Sequence, residues 1–188
     1  MDDLSNLIER AQAGDKDAFG QIYNLFYRRI YRYCKFNIAW EAQDICQETF
    51  LRAYKSLGKF SEKRGGSFQA YLFAIARNLI IDYRRKKKDV PLKEYHDIEK
   101  EDNLENEIQR KEGKLQVHTA LSRLKEPDRQ IVVLRYFEEM TTYEVASAVG
   151  MKEGAVRVRL HRILKKLKEI IEEWTNKFWR KLKKNIFQ

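Results

Sequence analysis

The sequence predicts an all-α chain: two small helical domains joined by an acidic linker. Three observations predict it. Only 8 Gly and 2 Pro occur in 188 residues, too few for a many-turned β-sandwich or a disordered chain. Apolar residues recur at three- and four-residue steps along most of the length, the period of half-buried helices. The charge falls into three blocks within a net +10: residues 1–88 carry 17 basic and 10 acidic side chains, residues 89–112 carry 4 and 9, and residues 113–188 carry 17 and 9. Two cationic lobes flanking an anionic strap suit two modules that each meet a polyanion, although Lys and Arg also serve simply to solvate helices. The boundaries expected are a first domain at 1–88, a linker at 89–104, a second domain at 105–173 and a basic amphipathic tail at 174–188.

In the first lobe, Leu4, Leu7, Ile8 and Ala11 keep helical spacing until Gly14 and Asp15 interrupt it. Asp15 is a suitable N-cap for a second helix, whose apolar face is Phe19, Ile22, Tyr23, Phe26, Ile30 and Tyr33. A third helix, over about 41–57, places Cys46, Thr49, Phe50, Ala53 and Leu57 on one side at about 100° per residue. Asp44, Gln47, Glu48, Leu51 and Lys55 share the other. An acidic face with a leucine inside a basic lobe is wrong for nucleic acid and right for a basic protein partner; a solvated helix face is the plainer alternative.

The loop from Lys59 to Phe68 mixes Lys63 and Arg64 with Phe60, Phe68 and a Gly pair. Cations track phosphates and aromatic faces stack bases, the combination that holds single-stranded nucleic acid, unless the two rings merely pin the loop to the core. An apolar helix with Tyr71, Leu72, Ile75, Ala76, Leu79 and Ile80 follows, and it carries Arg77, Asn78 and the run Arg84-Arg85-Lys86-Lys87-Lys88. Adjacent like charges repel, and a phosphate backbone relieves that repulsion.

The strap is acidic and aperiodic, and Val90-Pro91 disfavours helix at its start. Helical pattern resumes through Ile108, Leu115, Val117, Leu121 and Leu124, and Pro127 opens a further helix at its first position. Thr141 and Glu144 have the spacing of a capping box. Val145 and Val149 point inward, Ala146 permits close crossing, and Gly150 makes the turn. The next helix buries Val156, Leu160, Ile163, Leu164 and Leu167, leaving Arg157, Val158, His161, Arg162, Lys165 and Lys168 outward. This is a helix-turn-helix, with its second helix equipped to read a major groove.

Several classes are excluded. No run of about 18 apolar residues spans a bilayer, the start Met1-Asp2-Asp3-Leu4 is unlike a signal peptide, and Cys34 and Cys46 are too few for a disulfide framework. A reduced, cytoplasmic setting is expected. His96, His118 and His161 lie far apart without ligand spacing, so no metal, cofactor, small-molecule substrate or catalytic group is expected. This reads as a binding protein, not an enzyme.

The run Ala42-Gln43-Asp44-Ile45-Cys46-Gln47-Glu48-Thr49-Phe50-Leu51-Arg52-Ala53-Tyr54 resembles a conserved stretch of bacterial RNA polymerase sigma factors. The segment from Phe68 to Asn78, continued by Asp82-Tyr83-Arg84-Arg85, is similar to their promoter-melting and −10 regions, and Leu124 to Arg129 with the helix-turn-helix to their −35 domain. With so short a strap, the resemblance is to the extracytoplasmic-function (ECF) type of the sigma-70 family. It implies that Asp44, Gln47, Glu48 and Leu51 grip the clamp coiled coil of core RNA polymerase, whose flap is a further partner. It also implies that Phe60, Lys63, Arg64, Phe68, Arg77, Asn78, Arg84 and Arg85 meet −10 DNA, with the loop 59–68 capturing a flipped base. Arg157, His161, Arg162 and Lys165 would meet the −35 element, the strap would thread a basic polymerase channel, and an anti-sigma factor would be a partner. Gln43, Lys152 and Ala155 depart from the family's usual residues. The function implied is a sigma factor; a stand-alone helix-turn-helix regulator is the alternative.

Residues Ile171, Trp174, Phe178, Leu182 and Ile186 form an apolar stripe beside Lys177, Arg180, Lys181, Lys183 and Lys184. An extension packed on its own domain is favoured over a membrane-surface helix or one filling a partner's groove.

Overall fold

The computed structural model describes residues 3–38, 41–61, 66–86 and 119–186, with side chains to residue 172. The expected linker, Lys63, Arg64, His96, His118 and the pattern from Ile108 to Val117 lie outside the described residues. All the regular structure described is helical.

Helix α1 (Leu4–Gln12) ends at Gly14, whose φ of 98° lets the chain reverse. Asp15 caps α2 (Lys16–Asn37) as expected, its carboxylate accepting from the Asp17 and Ala18 amides. Arg10 donates to the same carboxylate at 2.7 Å, and these bonds hold the Asp15 pKa below the usual range. Helix α3 (Ala42–Ser56) packs Ile45, Cys46, Thr49, Phe50 and Ala53 inward. The buried Thr49 hydroxyl is satisfied by donating to the Ile45 carbonyl at 2.7 Å. A short 3-10 turn (Leu57–Lys59) leads to α4 (Phe68–Lys86). The core of this lobe is aromatic: Phe26 meets Phe68 edge-on at 5.9 Å, and Tyr33 meets Phe73 at 5.2 Å.

In the second lobe, Ala120, Leu121 and Leu124 are buried ahead of α5 (Glu126–Val132). Pro127 is one residue inside the helix start rather than at it. The helix expected to run through Phe137 widens instead into a π turn (Val133–Phe137), where the Glu138 amide donates to the Val133 carbonyl. One inserted residue changes the register and turns Glu138 inward. Helix α6 (Thr142–Val149) begins with the expected capping box and ends at Gly150, in the left-handed region at φ 69°. Helix α7 (Glu153–Ile186) buries Val156, Leu160, Ile163 and Ile170. Leu164, expected inside, is 42% exposed, because it lies one step beyond the face that packs on α5 and α6.

The two lobes pack against one another, chiefly α4 against α6 and α2 against the π turn. Phe36 of α2 meets Phe137 edge-on at 5.0 Å.

Truncating the fully buried Phe73 ring to Ala is expected to lower stability by about 3–5 kcal/mol, read as an earlier midpoint in urea unfolding. Thr141→Ala, which removes one cap, is expected to cost about 1 kcal/mol.

Candidate nucleic-acid interface

The α3 surface has the composition expected of it. Asp44, Gln47 and Leu51 are exposed, and Glu48 pairs with Arg52 at 2.7 Å, within the helix. Tyr54, overlooked in the sequence, extends this surface, with Phe19 packed edge-on behind it at 4.9 Å. On α7, Arg157, His161, Arg162 and Lys165 are all exposed. Arg157 is steadied by Glu153 at 2.6 Å, and Arg159 is tied to Asp128 at 2.6 Å, which fixes the reading helix to α5.

The α4 surface differs from expectation. Phe68 is 1% exposed, and the half-buried Phe60 packs on Phe68 and Tyr71 at 5.2 and 4.9 Å, so in this arrangement both rings pack on the core. Arg77 donates to Gln130 at 3.1 Å. Arg84 pairs with Glu126 at 2.9 Å and donates to the Asn37 carbonyl. Of the described residues assigned to −10 DNA, Asn78 and Arg85 are exposed, and Arg85 is bonded to Asp82. Arg77 and Arg84 are thus taken up by the second lobe.

The centre of that contact is Glu138, whose carboxylate is fully buried. Arg29 donates to Oε2 at 3.1 Å and to the backbone carbonyl at 2.6 Å; Arg32 donates to Oε1 at 2.9 Å. Gln69 accepts from Arg29 and donates to the same carbonyl. Burial pushes the Glu138 pKa up, and the two guanidiniums only partly offset it. A second bridge joins the Ser67 hydroxyl to Glu144 at 2.6 Å. Burial raises the Glu144 pKa, but the bonds from Ser67 and Thr141 outweigh it and leave that pKa below the ordinary value. Close by, a Cβ on Gly66 (φ 84°) would meet the Ser147 hydroxyl at 3.2 Å. Sequence reasoning missed Arg29, Arg32, Gln69, Gln130 and Glu138, since helical spacing does not show which surface two modules share.

Arg129 is 3% exposed, and its Nε and Nη2 have no hydrogen-bond partner among the described residues; nor do the Tyr33 hydroxyl and Asn37 Oδ1. Burial, with Arg84 near, draws the Arg129 pKa down to about 10. Burial also raises the Cys34 and Cys46 thiols, the latter to about 12, which suits inert core residues. Among the described residues, no group of His, Cys, Asp and Glu could hold a metal, and no helix is long and apolar enough to cross a membrane.

Two helical modules, one presenting a helix-turn-helix with an exposed cationic row, define a DNA-binding protein. Comparison with known proteins is more specific. Residues 19–90 match Sigma-70 region 2 and residues 114–167 match Sigma-70 region 4. The chain is 31% identical over 176 residues to the ECF RNA polymerase sigma factor BldN of Streptomyces coelicolor, covering 90% of this chain and 66% of that protein. It is 30% identical over 173 residues to the ECF RNA polymerase sigma factor SigW of Bacillus subtilis, covering 85% and 91%. Among solved structures, CnrH in complex with the cytosolic domain of CnrY aligns at a TM-score of 0.68 with 25% identity, covering 89% and 96%. The chain belongs to the sigma-70 family, as a factor of the ECF type. It directs RNA polymerase to promoters and is not an enzyme.

Replacing Arg29 and Arg32 together by Ala leaves the Glu138 carboxylate buried without a partner, which is expected to cost the closed arrangement about 3–5 kcal/mol. The radius of gyration in small-angle scattering should rise at neutral pH. Since burial raises the Glu138 pKa, the closed form binds the proton more tightly than the open one. Acidification toward the carboxylate range should therefore restore compactness in that variant, and a pH-independent radius would contradict this role.

Proposed function

We propose that the surfaces above divide the work of promoter recognition. Asp44, Gln47, Glu48 and Leu51 dock the chain on the clamp coiled coil of core polymerase. Arg77, Asn78, Arg84 and Arg85, with Lys63 and Arg64, meet −10 DNA. Arg157, His161, Arg162 and Lys165 meet the −35 element, residues 89–104 form the linker, and the flap of the polymerase receives the second domain. The setting is the cytoplasm, where the polymerase works. The observation that carries this reading is the coexistence, on one basic chain, of an exposed acidic face on α3 and an exposed cationic row on α7. A stand-alone regulator is not favoured, because it would have no use for a match to region 2.

The closed arrangement bears on how the factor is used. Arg77 and Arg84 hydrogen-bond to Gln130 and Glu126, while the α7 row is exposed. Reading −10 DNA with those two arginines therefore requires the lobes to part, and core polymerase supplies the free energy. CnrH has been solved with the cytosolic domain of CnrY, and an anti-sigma factor acting on the lobes of this chain is the corresponding proposal here.

Asp44→Lys combined with Glu48→Lys should weaken binding to core polymerase by about 2 kcal/mol or more while leaving the helical content intact; unchanged affinity in a pull-down refutes the docking face. Arg162→Ala should weaken −35 DNA binding by about 1–3 kcal/mol if the guanidinium reads a base. A loss spread evenly over all sequences, with a shallower salt slope, makes it a phosphate contact.

A further inference from the structure

Helix α7 buries Val156, Leu160, Ile163 and Ile170. At about 100° per residue these four lie within a strip about 80° wide. On the opposite side Arg157, His161, Lys165 and Arg162 span an arc of about 140°, and Val158 falls inside that arc. Val158 is 53% exposed. It faces almost directly away from the buried strip, whereas the exposed Leu164 borders it.

The fold itself gains nothing from a valine there. A β-branched side chain is a weaker helix former than Ala, Arg or Lys, and most of this one stays in water. Gly154 and Ala155, one turn earlier, are both exposed, and a Cβ added to Gly154 would meet nothing within 4 Å. No long side chain of the preceding turn therefore stands over Val158. The helix beneath it is pinned by Arg159, paired with Asp128 at 2.6 Å, and Arg157 is held by Glu153 at 2.6 Å. What results is a stiff apolar knob, early in the helix and ringed by cations. Such a ring suits a polyanion and not the apolar groove of a protein.

The chemistry of the major groove decides what the knob can meet. Base edges there present nitrogen and oxygen donors and acceptors and a single apolar group, the C5-methyl of thymine. Against an amino group or a purine N7, valine would displace water and return no hydrogen bond. Against the thymine methyl, both partners leave water together. Resting on the reading of α7 as the −35 helix, we propose that Val158 is a specificity-determining residue. It meets the C5-methyl of a thymine in the −35 element and selects an A·T pair at that position. The surrounding cations hold the duplex close enough for the contact.

The test uses holoenzyme reconstituted from the full chain and core polymerase, with promoter duplexes selected from a random pool. Each thymine of the upstream element, on either strand, is replaced in turn by deoxyuridine, which removes the methyl and keeps every hydrogen-bonding group. At one position binding is expected to fall about fourfold, the effect of one methyl group returned to water. With Val158→Ala, which lacks both γ methyls, the thymine and deoxyuridine duplexes should bind alike. Circular dichroism and binding to core polymerase serve as controls of folding. A methyl effect that survives Val158→Ala, no methyl effect at any position, or a selected element without thymine would overturn the proposal. Failure of the −35 reading is distinguishable from these: base-pair changes across the upstream element and Arg162→Ala would then also leave binding unchanged, and both readings would fall.

Discussion

Glu138 is a carboxylate with no access to water, placed between two arginines of the other lobe. It anchors the contact between the lobes on the α2 side, while α4 packs on α6 and Arg77 and Arg84 bond to Gln130 and Glu126. An ionised carboxylate without partners does not remain in such a site, so Arg29 and Arg32 must stay where α2 puts them, one turn apart on the same side. The π turn is what delivers Glu138 to them, and Phe36 and Phe137 close the contact beside it. Both lobes are net cationic, yet their contact pairs first-lobe arginines with second-lobe glutamates. The acidic side chains meet guanidiniums much as phosphates would.

That substitution links packing to use. Arg77 and Arg84 lie on the surface proposed for −10 DNA, and in the closed arrangement their hydrogen bonds go to Gln130 and Glu126. Among the described residues, Arg129, Tyr33 and Asn37 each keep a buried polar atom without a hydrogen-bond partner. Ion pairs at a buried contact fix its geometry more surely than they add to its strength. The docking face on α3 and the cationic row on α7 stay exposed throughout, so nothing in the closure interferes with either.

The helices themselves were largely legible. Asp15, Thr141 with Glu144, and Gly150 mark ends through local bonds that the sequence states directly. The apolar faces of α2 and α3 follow from period alone. Leu164 was misplaced because a five-residue apolar set at helical spacing is wider than the face actually covered. Phe60 and Phe68 show a related ambiguity: aromatics beside glycines and cations suit a base or a core equally, and here they pack on one another. The π turn and the role of Glu138 were illegible, since an inserted residue leaves no periodic signature and the partners lie more than a hundred positions away. The family likeness rests on three ordered motifs, and the matches to regions 2 and 4 agree with it.

The most direct measurement is the distance between the lobes in the free factor and in complex with core polymerase. Spin labels on cysteines introduced at the exposed positions Asn24 and Lys152 would report it by pulsed electron resonance, while Cys34 and Cys46, both buried, stay unlabelled. The account predicts a single short distance for the free chain and a clearly longer one on the polymerase. The same distance in both states, or a broad distribution in the free chain, would contradict it.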